Sequence, residues 1–546
     1  MSRGGALDGG SLAIVLFLAF VTVSLLLCGL AAADQDEPEQ FYTGSSSLGP
    51  AQNGLAVAGD YLSAATLLST TGSIALTGAD GVLFACATVL ALLLFGRILA
   101  EPLRGPGRYT LGDVLAERLG RPAVRRAMGV VTLVVLIPLL LVQLSAAGRI
   151  TTVMLGLPAG ALTGCTVATG ALMVCYSAFG GMRGTGFVQI LKTLVVVPVV
   201  VLLAVLVLHR FGGEPGRLLD AAARRGGPGF TRPGLQFGDS LTGRLDLVGF
   251  SLTLVLGAAC LPHVTMRFHP VRSAPELRAS LRWAVGSVVL ICAALAVVGL
   301  GACALVGPRE LRAADPSGGT ALLMVTTALD PAPALAGDSV LFALVACAVF
   351  ATALAAVAGI TLAAAASLAH DLPSPARGGR RGRGPAAREV TRARCAVALV
   401  GAVSVLLSIP AHDRNPQVLV SFTFATAASA LLPVLVCAFL GRWCTARGAL
   451  CALYGAPVLT VVLLVLSPAV SGTPVALLPE YDFHRFPLQT PGLVTVPAGF
   501  LLCLLGSRVR RGTDGPDGAR SGPDTLPGAA RWAAAQPAAA DAGSGS

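Results

Sequence analysis

Long apolar runs of membrane-spanning length alternate with short polar segments along most of the chain. A helix needs about 20 consecutive apolar residues to cross a bilayer. The runs are continuous, whereas the strands of a membrane barrel would show alternating hydrophobic and polar positions. The pattern predicts thirteen transmembrane helices, over residues 10–32, 52–77, 81–103, 124–155, 159–180, 185–208, 243–268, 277–306, 335–370, 388–410, 415–441, 446–467 and 488–507.

Composition agrees with a membrane protein and narrows the function classes. Of the 546 residues, 54% are hydrophobic and 12% are charged, whereas a soluble domain carries about 25% charged residues. The net charge is +11, but aromatic residues make up 5% and the basic residues lie at helix ends, so we expect no nucleic-acid partner. The 13 cysteines lie mostly inside apolar runs and form no CxxC pair, which is typical of buried thiols.

Arginines predict the orientation, because cytoplasmic loops are enriched in basic residues. With the N-terminus outside, the outside loops are nearly uncharged or of mixed sign. We therefore expect a multi-pass protein of a bacterial plasma membrane, with its N-terminus outside and its C-terminus inside. The inside segments then hold six arginines over 104–126, Arg183, four over 267–282, four over 377–383, two over 442–447 and three over 508–511.

The same pattern divides the chain into five parts. The first apolar run is longer than the ~7–15 residues of a signal-peptide core, which favours a retained helix over a cleaved signal. The end of the chain is rich in Gly, Ala, Pro and Asp and holds no recognisable catalytic or signalling domain. The expected parts are an N-terminal transmembrane helix (1–33), a cytoplasmic connection (34–51), a ten-helix core (52–441), two additional helices (442–510) and a disordered cytoplasmic tail (511–546).

The second predicted helix carries an acid near its middle. An ionised side chain at that depth costs about 2.5–3.5 kcal/mol on insertion scales unless it faces protein, water or an ion. Asp60 follows Gly59, and this pair predicts a break in the helix and a binding site at membrane depth. In the seventh helix, Gly257 and Pro262 predict a second break, directly before His263. Two broken helices that lie five helices apart are typical of an inverted repeat of two five-helix units.

Structural alternatives exist for these ionisable residues. Asp60 could instead pair with Lys192 or Arg149 and hold the bundle together. Lys192 lies one to two turns inside its helix, so we expect its side chain to extend to the inner membrane face. His263, whose unperturbed pKa would be near neutrality, is either a proton carrier or a polar residue stacked at the break.

Several segments together resemble the sodium:solute symporter family, and more narrowly its cation/acetate (monocarboxylate) symporter branch. The similarity extends over about residues 40–510. It implies an all-α, LeuT-like fold in which one helix precedes a ten-helix core of two inverted repeats and two helices follow it. The segments are QNGLAVAGDYLSAAT (52–66), PLRGPGRYTLGDVLAERLG (102–120), YSAFGGMRGTGFVQILK (176–192), GAACLPHVTMRF (257–268), ATALAAVAGITLAAAASLAHDL (351–372) and SFTFATAASALLPV (421–434).

The resemblance also implies a cation site on the first core helix. The family's backbone carbonyl ligands correspond here to Gly59 and Leu62, which are three residues apart and can face one ion at an unwound turn. The side-chain oxygens of Asp60 and Ser63 are expected beside them.

The other half of that cation site departs from the family pattern. The corresponding surface of the eighth core helix is Ala355, Ala358 and Gly359, where the family's hydroxyl pair is missing. The nearest hydroxyls belong to Thr352 and Thr361, which lie nine positions apart on opposite faces of the helix. The coupling ion therefore stays open between Na⁺ and H⁺.

The implied function is secondary active transport, the cation-coupled symport of acetate or a similar short-chain monocarboxylate into the cell. Another solute, such as proline, a sugar or pantothenate, and a transporter-like solute sensor are the alternatives. The sequence has no HExxH or GxSxG motif, and we expect neither an enzyme nor an organic cofactor. We expect a monomer surrounded by membrane lipid. The substrate-binding residues expected are Thr66, Gln143, Gly257, His263 and Phe424.

Overall fold

The fold is that of a computed structural model of the chain. The predicted tail, residues 511–546, lies outside the described residues, as do residues 34–37 and 45–47 of the predicted connection. Several arginines that predicted the orientation, those over 377–381 among them, also lie outside them. The structure describes residues 9–32, 38–44, 48–104, 109–269, 271, 273–330, 339–373, 383–412, 416–441, 444–473 and 476–508.

The described residues form α-helices joined by turns, with one isolated β-bridge between Ser471 and Leu478. The prediction of an all-α protein is confirmed for this part of the chain. The α-helices are α1 (Gly9–Ala32), α2 (Pro38–Thr43), α3 (Pro50–Tyr61), α4 (Ala64–Thr77), α5 (Ala79–Ile98), α6 (Ala100–Leu103), α7 (Leu111–Leu119), α8 (Pro122–Met154), α9 (Leu162–Arg210), α10 (Pro215–Gly226), α11 (Leu241–Ala258), α12 (Pro262–Thr265), α13 (Ala274–Leu305), α14 (Pro308–Ala314), α15 (Ala321–Leu329), α16 (Val340–Ala366), α17 (Arg383–Ser408), α18 (Pro416–Thr426), α19 (Leu432–Phe439), α20 (Ala446–Val465) and α21 (Gly492–Arg508).

Ten helical segments within the described residues are long and apolar enough to cross a membrane. The 49-residue α9 covers two predicted helices, which meet at a kink where Gly181 has φ 49° and ψ −155°. The halves of the broken helix, α3 and α4, and the 17-residue α21 are shorter than a full span. The chain is therefore a multi-pass helical protein, while the count of thirteen spans and the orientation of the termini stay predictions.

Helix α16 lies at the centre of the bundle. Its side chains are buried almost throughout, and it packs against α9, α8 and α1. A helix that is apolar on all sides belongs in a protein interior. Its many alanines let neighbouring backbones approach closely, as small residues do between membrane helices. Both broken helices contact this central scaffold.

The first broken helix is interrupted between α3 and α4. Helix α3 ends at Tyr61, and Leu62 and Ser63 have extended backbones before α4 begins at Ala64. Ser63 Oγ accepts a hydrogen bond of 3.1 Å from the Thr66 backbone N–H. A serine with extended backbone that makes this bond is a favourable start for a helix. Ser63 therefore fixes where the chain becomes helical again.

The prediction of a break at Gly59–Asp60 is wrong, because both residues belong to α3. Gly59 instead allows close packing against α9, since a Cβ atom at this position would lie 2.8 Å from the backbone oxygen of Gln189. The glycine that suggested an opening of the helix therefore serves a helix–helix contact.

The second break lies where the sequence predicts it. Helix α11 ends at Ala258 and α12 begins at Pro262, which suits the first position of a helix because its missing N–H would have no partner there. A 3₁₀ turn, Met266–Phe268, completes this element. Just before the break, Gly257 brings α11 against α18, since a Cβ atom there would lie 2.3 Å from the Phe424 carbonyl oxygen.

At one end of the bundle, His370 joins three helices. It lies in a π-helical turn that continues α16, and its ring nitrogens lie 2.9 Å from Asp113 on α7 and 2.9 Å from Glu389 on α17. Thr110 Oγ1 donates a hydrogen bond of 2.6 Å to Asp371 beside it. Burial alone would raise the pKa of the Asp113 carboxyl, but the hydrogen bond and charge of His370 hold that pKa below its ordinary value. This group, the His370 joint, ties that end of the bundle together.

We expect Gly257→Ala to lower the melting temperature of the detergent-purified protein. The added methyl group would contact the α18 backbone, which cannot move aside as a side chain can, and such overpacking costs typically about 1–3 kcal/mol. Gly286→Ala in α13 is the matched control, because nothing lies within 4 Å of the added Cβ atom. Equal melting temperatures for the two variants would contradict the packing role of Gly257.

Candidate functional site

The break between α3 and α4 turns backbone carbonyl groups toward α9. The last carbonyls of a helix have no donor within the helix. Lys192 Nζ donates hydrogen bonds to the carbonyl oxygens of Gly59 and Leu62, the second at 2.6 Å, and to Gln189 Oε1 at 3.2 Å. An ammonium group has three N–H donors, and each of them finds one acceptor here.

The expectation that Lys192 extends to the inner membrane face is wrong. Its side chain is 1% exposed and ends at the break in α3–α4. Gln189 lies three residues earlier on the same face of α9. The two side chains form one polar group in an otherwise apolar helix, directed at the first core helix.

Asp60 lies between two donors beside this group. Arg267 Nε donates to Asp60 Oδ2, and Gln189 Nε2 donates to Asp60 Oδ1. The Asp60 and Arg267 side chains are 2% and 3% exposed. Arg267 also donates to the Met182 carbonyl oxygen at 3.1 Å, so its guanidinium binds α3 to α9 as well. Lys192 and Arg267 thus place two basic side chains beside the Asp60 carboxylate.

The ion-pair partner of Asp60 differs from both residues considered in the sequence. Lys192 bonds the carbonyls near Asp60, and Arg149 donates to the His412 carbonyl oxygen elsewhere in the bundle. The partner is Arg267, which the sequence analysis counts among the inside-loop arginines. Its position directly after the second break carries it into the protein interior.

On the facing surface of α16, backbone carbonyl oxygens accept hydrogen bonds from side chains of α9. Gln189 Nε2 donates to the Ala355 carbonyl oxygen at 2.8 Å, and Ser177 Oγ donates to that of Ala358 at 2.9 Å. Gly359 makes room for the carboxylate, since a Cβ atom there would lie 2.5 Å from Asp60 Oδ1. This surface therefore positions Asp60 and Gln189.

The two threonines nearest to that surface do not complete a cation site in the described contacts. The Thr352 hydroxyl donates to the Ala348 carbonyl oxygen one turn back, at 2.7 Å. Thr361 is buried on the same helix, and no hydrogen bond in the described part of the chain joins it to α3.

A cavity of about 110 Å³ lies on the other side of the first break. A second cavity, of about 160 Å³, shares Ala65, Ser69, Gln417 and Val420 with it and reaches Asp315 near α15. The cavities thus continue toward the end of the bundle that the arginine pattern predicts to lie outside. The first cavity is lined by Tyr61, Ser63, Ala65, Thr66, Ser69, Thr70, Ser73, Phe84, Thr88, Leu139, Gln143, Gln236, Phe250, Leu254, Ala258, Leu261, Gln417, Val420 and Phe424.

Three of the five expected substrate-binding residues, Thr66, Gln143 and Phe424, line this first cavity. Gln143 is fully buried, and neither its amide nitrogen nor its amide oxygen has a hydrogen-bond partner among the described residues. A buried amide without a partner costs about 1–3 kcal/mol. A bound polar molecule in the cavity would remove that cost.

The other two expected residues, Gly257 and His263, do not line the first cavity. Gly257 packs on the α18 backbone, and the residue that faces the cavity is its neighbour Ala258. His263 is buried at the start of α12, with no hydrogen-bond partner for Nδ1 among the described residues. Neither residue is positioned to contact a molecule in this cavity.

Sequence reasoning missed Gln189 and Arg267. For Gln189 the signal was its spacing of three residues from Lys192 inside an apolar run, which puts both on one helix face. For Arg267 the signal was its position five residues after Pro262, where a broken helix can lead the chain back into the bundle.

A family model for the sodium:solute symporter family matches residues 41–455. The chain belongs to the sodium:solute symporter family. It is therefore a membrane symporter, of the kind that couples a small solute to a cation, and it is not an enzyme. The resemblance stated from the sequence motifs is confirmed.

Two curated relatives are similar to this symporter along most of its length. A monocarboxylic acid transporter of Corynebacterium glutamicum is 37% identical over 509 residues, 91% of this chain and 91% of the relative. An uncharacterized symporter of Bacillus subtilis is 35% identical over 500 residues, 91% of this chain and 94% of the relative.

Solved structures show that the symporter has a LeuT-like fold. A Na⁺-coupled sialic acid symporter in a substrate-bound outward-open state superposes with a TM-score of 0.71 at 14% identity, over 92% of this chain and 98% of the other. Mhp1, a nucleobase-cation-symport-1 family transporter, superposes with a TM-score of 0.53 at 15% identity, over 87% and 95% of the two chains. At these identities the likeness concerns the fold alone.

Family membership implies Na⁺ as a coupling ion, but the residues at the expected position do not fit a free Na⁺. Hard cations are held by several oxygen ligands. The carbonyls of Gly59 and Leu62 that would supply two of them accept hydrogen bonds from Lys192. On the α16 side, the Ala355 carbonyl accepts from Gln189. The Lys192 nitrogen lies where the sequence predicted the cation.

We expect Asp60→Asn to lower substrate uptake at least several-fold. The neutral amide leaves Lys192 and Arg267 buried without a counter-charge, and breaking a buried ion pair in this way costs about 3–5 kcal/mol. Uptake is measured per molecule of protein in the membrane. Glu214→Gln, which removes the exposed ion pair with Arg217, is the control and should transport like the wild type. If the Asp60→Asn variant transports as fast as the wild type, Asp60 does not have this role.

Proposed function

We propose that this symporter carries acetate or a similar short-chain monocarboxylate into the cell together with a cation. The observation that carries the proposal is the buried, unpartnered amide of Gln143 in a small cavity beside the first helix break. The relative of Corynebacterium glutamicum named a monocarboxylic acid transporter, 37% identical, supports the same substrate class.

The electrostatics of the break favour an anion over a neutral solute. Lys192 and Arg267 place two basic side chains against one carboxylate, so basic side chains are in excess in this buried group. The first turn of α4 points its positive end toward the cavity through Ser63 and Thr66. A carboxylate near Ser63 would meet this field and the Gln143 amide N–H.

The remaining wall suits a short apolar tail. Leu139, Ala258, Leu261 and Phe424 line the cavity opposite its hydroxyl groups. Its volume of about 110 Å³ is below the ~150 Å³ that an enclosed cavity uses to hold benzene. A molecule with one carboxylate and few carbons fits within this part of the continuous cavity.

The cavity position suggests how the transport cycle begins. In this structure the cavities run toward the end predicted to face outside, while the His370 joint links three helices at the opposite end. Substrate would enter from outside, bind beside both breaks, and leave inward after the joint opens. Rocking of one repeat around such a midplane site is the usual form of alternating access in this architecture.

Uptake into proteoliposomes tests the substrate class. We expect radiolabelled acetate to accumulate when a cation gradient is imposed, and unlabelled pyruvate to compete more strongly than proline or a hexose. Na⁺ and proton gradients are imposed separately, with valinomycin and K⁺ fixing the membrane potential. Uptake of proline or a sugar without acetate uptake would replace the proposed substrate, and specific binding without transport would favour a sensor.

We expect Gln143→Leu to raise the KM for acetate about tenfold, because the substitution keeps the side-chain size and removes one hydrogen bond to a charged group, worth about 1.5–3 kcal/mol. The maximal rate should change less than KM. Thr151→Val on the same helix is the control, since this hydroxyl bonds only the α8 backbone at Ala147 in the described contacts. An unchanged KM for Gln143→Leu would remove Gln143 from the substrate site.

A further inference from the structure

We propose that the Lys192 ammonium is the cation of the site between Gly59 and Leu62, and that free Na⁺ therefore does not bind there. The inference goes beyond the proposed function, since it concerns which ion this position accepts and not which solute is carried. It depends on the proposed function only where substrate uptake is measured.

The hydrogen-bond geometry is complete for an ammonium group. Three N–H donors of Lys192 meet the carbonyl oxygens of Gly59 and Leu62 and the amide oxygen of Gln189. A sodium ion at the same point would need further oxygens from α16. That surface offers Ala358 and Gly359 at the expected hydroxyl positions, and the Ala358 carbonyl already accepts from Ser177.

The surrounding charges also disfavour a second cation. Asp60 is the carboxylate in contact with this group, and Arg267 already pairs with it. A free Na⁺ added beside Lys192 would place three positive charges against Asp60 in a buried site. Burying unpaired charge costs several kcal/mol per ion, so Na⁺ would have to displace the ammonium.

The lysine is held in place by the backbone around it. Gly59 brings α3 so close to α9 that a Cβ atom would meet Gln189 at 2.8 Å. Lys192 is 1% exposed, and its departure would leave two buried carbonyls without their hydrogen-bond donor. The ammonium is therefore a fixed part of the break in this conformation.

Lys192 is the single lysine among the 39 basic residues of the chain, which makes it chemically addressable. The first measurement labels the purified wild-type protein with an amine-reactive acetylating reagent and follows the peptide containing Lys192 by mass spectrometry. We expect labelling more than an order of magnitude slower than in denatured protein, at one rate in NaCl and in choline chloride. Faster labelling in NaCl would overturn the proposal, because it would mean that Na⁺ displaces the ammonium.

The second measurement compares melting temperatures across a titration of NaCl against choline chloride at constant ionic strength. Removal of the side chain in Lys192→Ala frees three oxygens and empties space in which water molecules can complete the ligand set of a small cation. We expect this variant to acquire a saturable Na⁺-dependent stabilisation that exceeds any Na⁺ response of the wild type. Lys192→Arg keeps the charge and should respond like the wild type. Equal Na⁺ responses of the wild type and Lys192→Ala would overturn the proposal.

Both measurements are made without substrate, so their outcome does not depend on acetate being the solute. If acetate uptake fails while labelling is independent of Na⁺, the substrate assignment is wrong and the lysine inference stands. If acetate uptake succeeds while Na⁺ accelerates labelling, the substrate assignment stands and the lysine inference falls.

Discussion

The carbonyl groups freed at Leu62 must find hydrogen-bond donors inside a protein interior at membrane depth. Water cannot serve there as it does at the end of a soluble helix. Lys192 supplies the donors, and its charge in turn requires the Asp60 carboxylate close by, which Arg267 and Gln189 hold in place. Gly59 and Gly359 permit this crowding, since a methyl group on either would contact Gln189 or Asp60. The broken helix, the lysine and the central helix α16 thus depend on one another.

Much of the fold could be predicted from the sequence because membrane-spanning helices are recognisable by their length and hydrophobicity. Pro262 located the second break, since a proline removes a backbone donor wherever it stands. The first break was misplaced, because glycine serves both flexibility and close packing, and only the neighbouring helix decides which. Ser63 was the better local signal, as a serine cap followed by Thr66 begins a helix whatever precedes it.

The site was harder to predict than the fold. Thr66, Gln143 and Phe424 come together at one cavity, whereas Gly257 and His263 belong to the packing behind it. Lys192 looked like a residue near a membrane surface because distance along a helix does not tell which way a flexible side chain turns. Arg267 was predicted to lie in an inside loop because the positive-inside rule counts every arginine near a helix end in the same way. Both errors concern long cationic side chains that bond the first core helix, 133 residues away from Lys192 and 207 residues away from Arg267.

The His370 joint has a consequence for how the opposite end of the molecule can open. One imidazole bonds carboxylates on α7 and α17 while its own backbone continues α16, so three separate helices share a single ring. Separation of α7 or α17 leaves the ring bonded to one carboxylate only, and separation of the α16 extension breaks both hydrogen bonds, in a partly buried place where an unpaired polar group is costly. A partial opening of this end therefore loses hydrogen bonds of the ring without freeing all three helices.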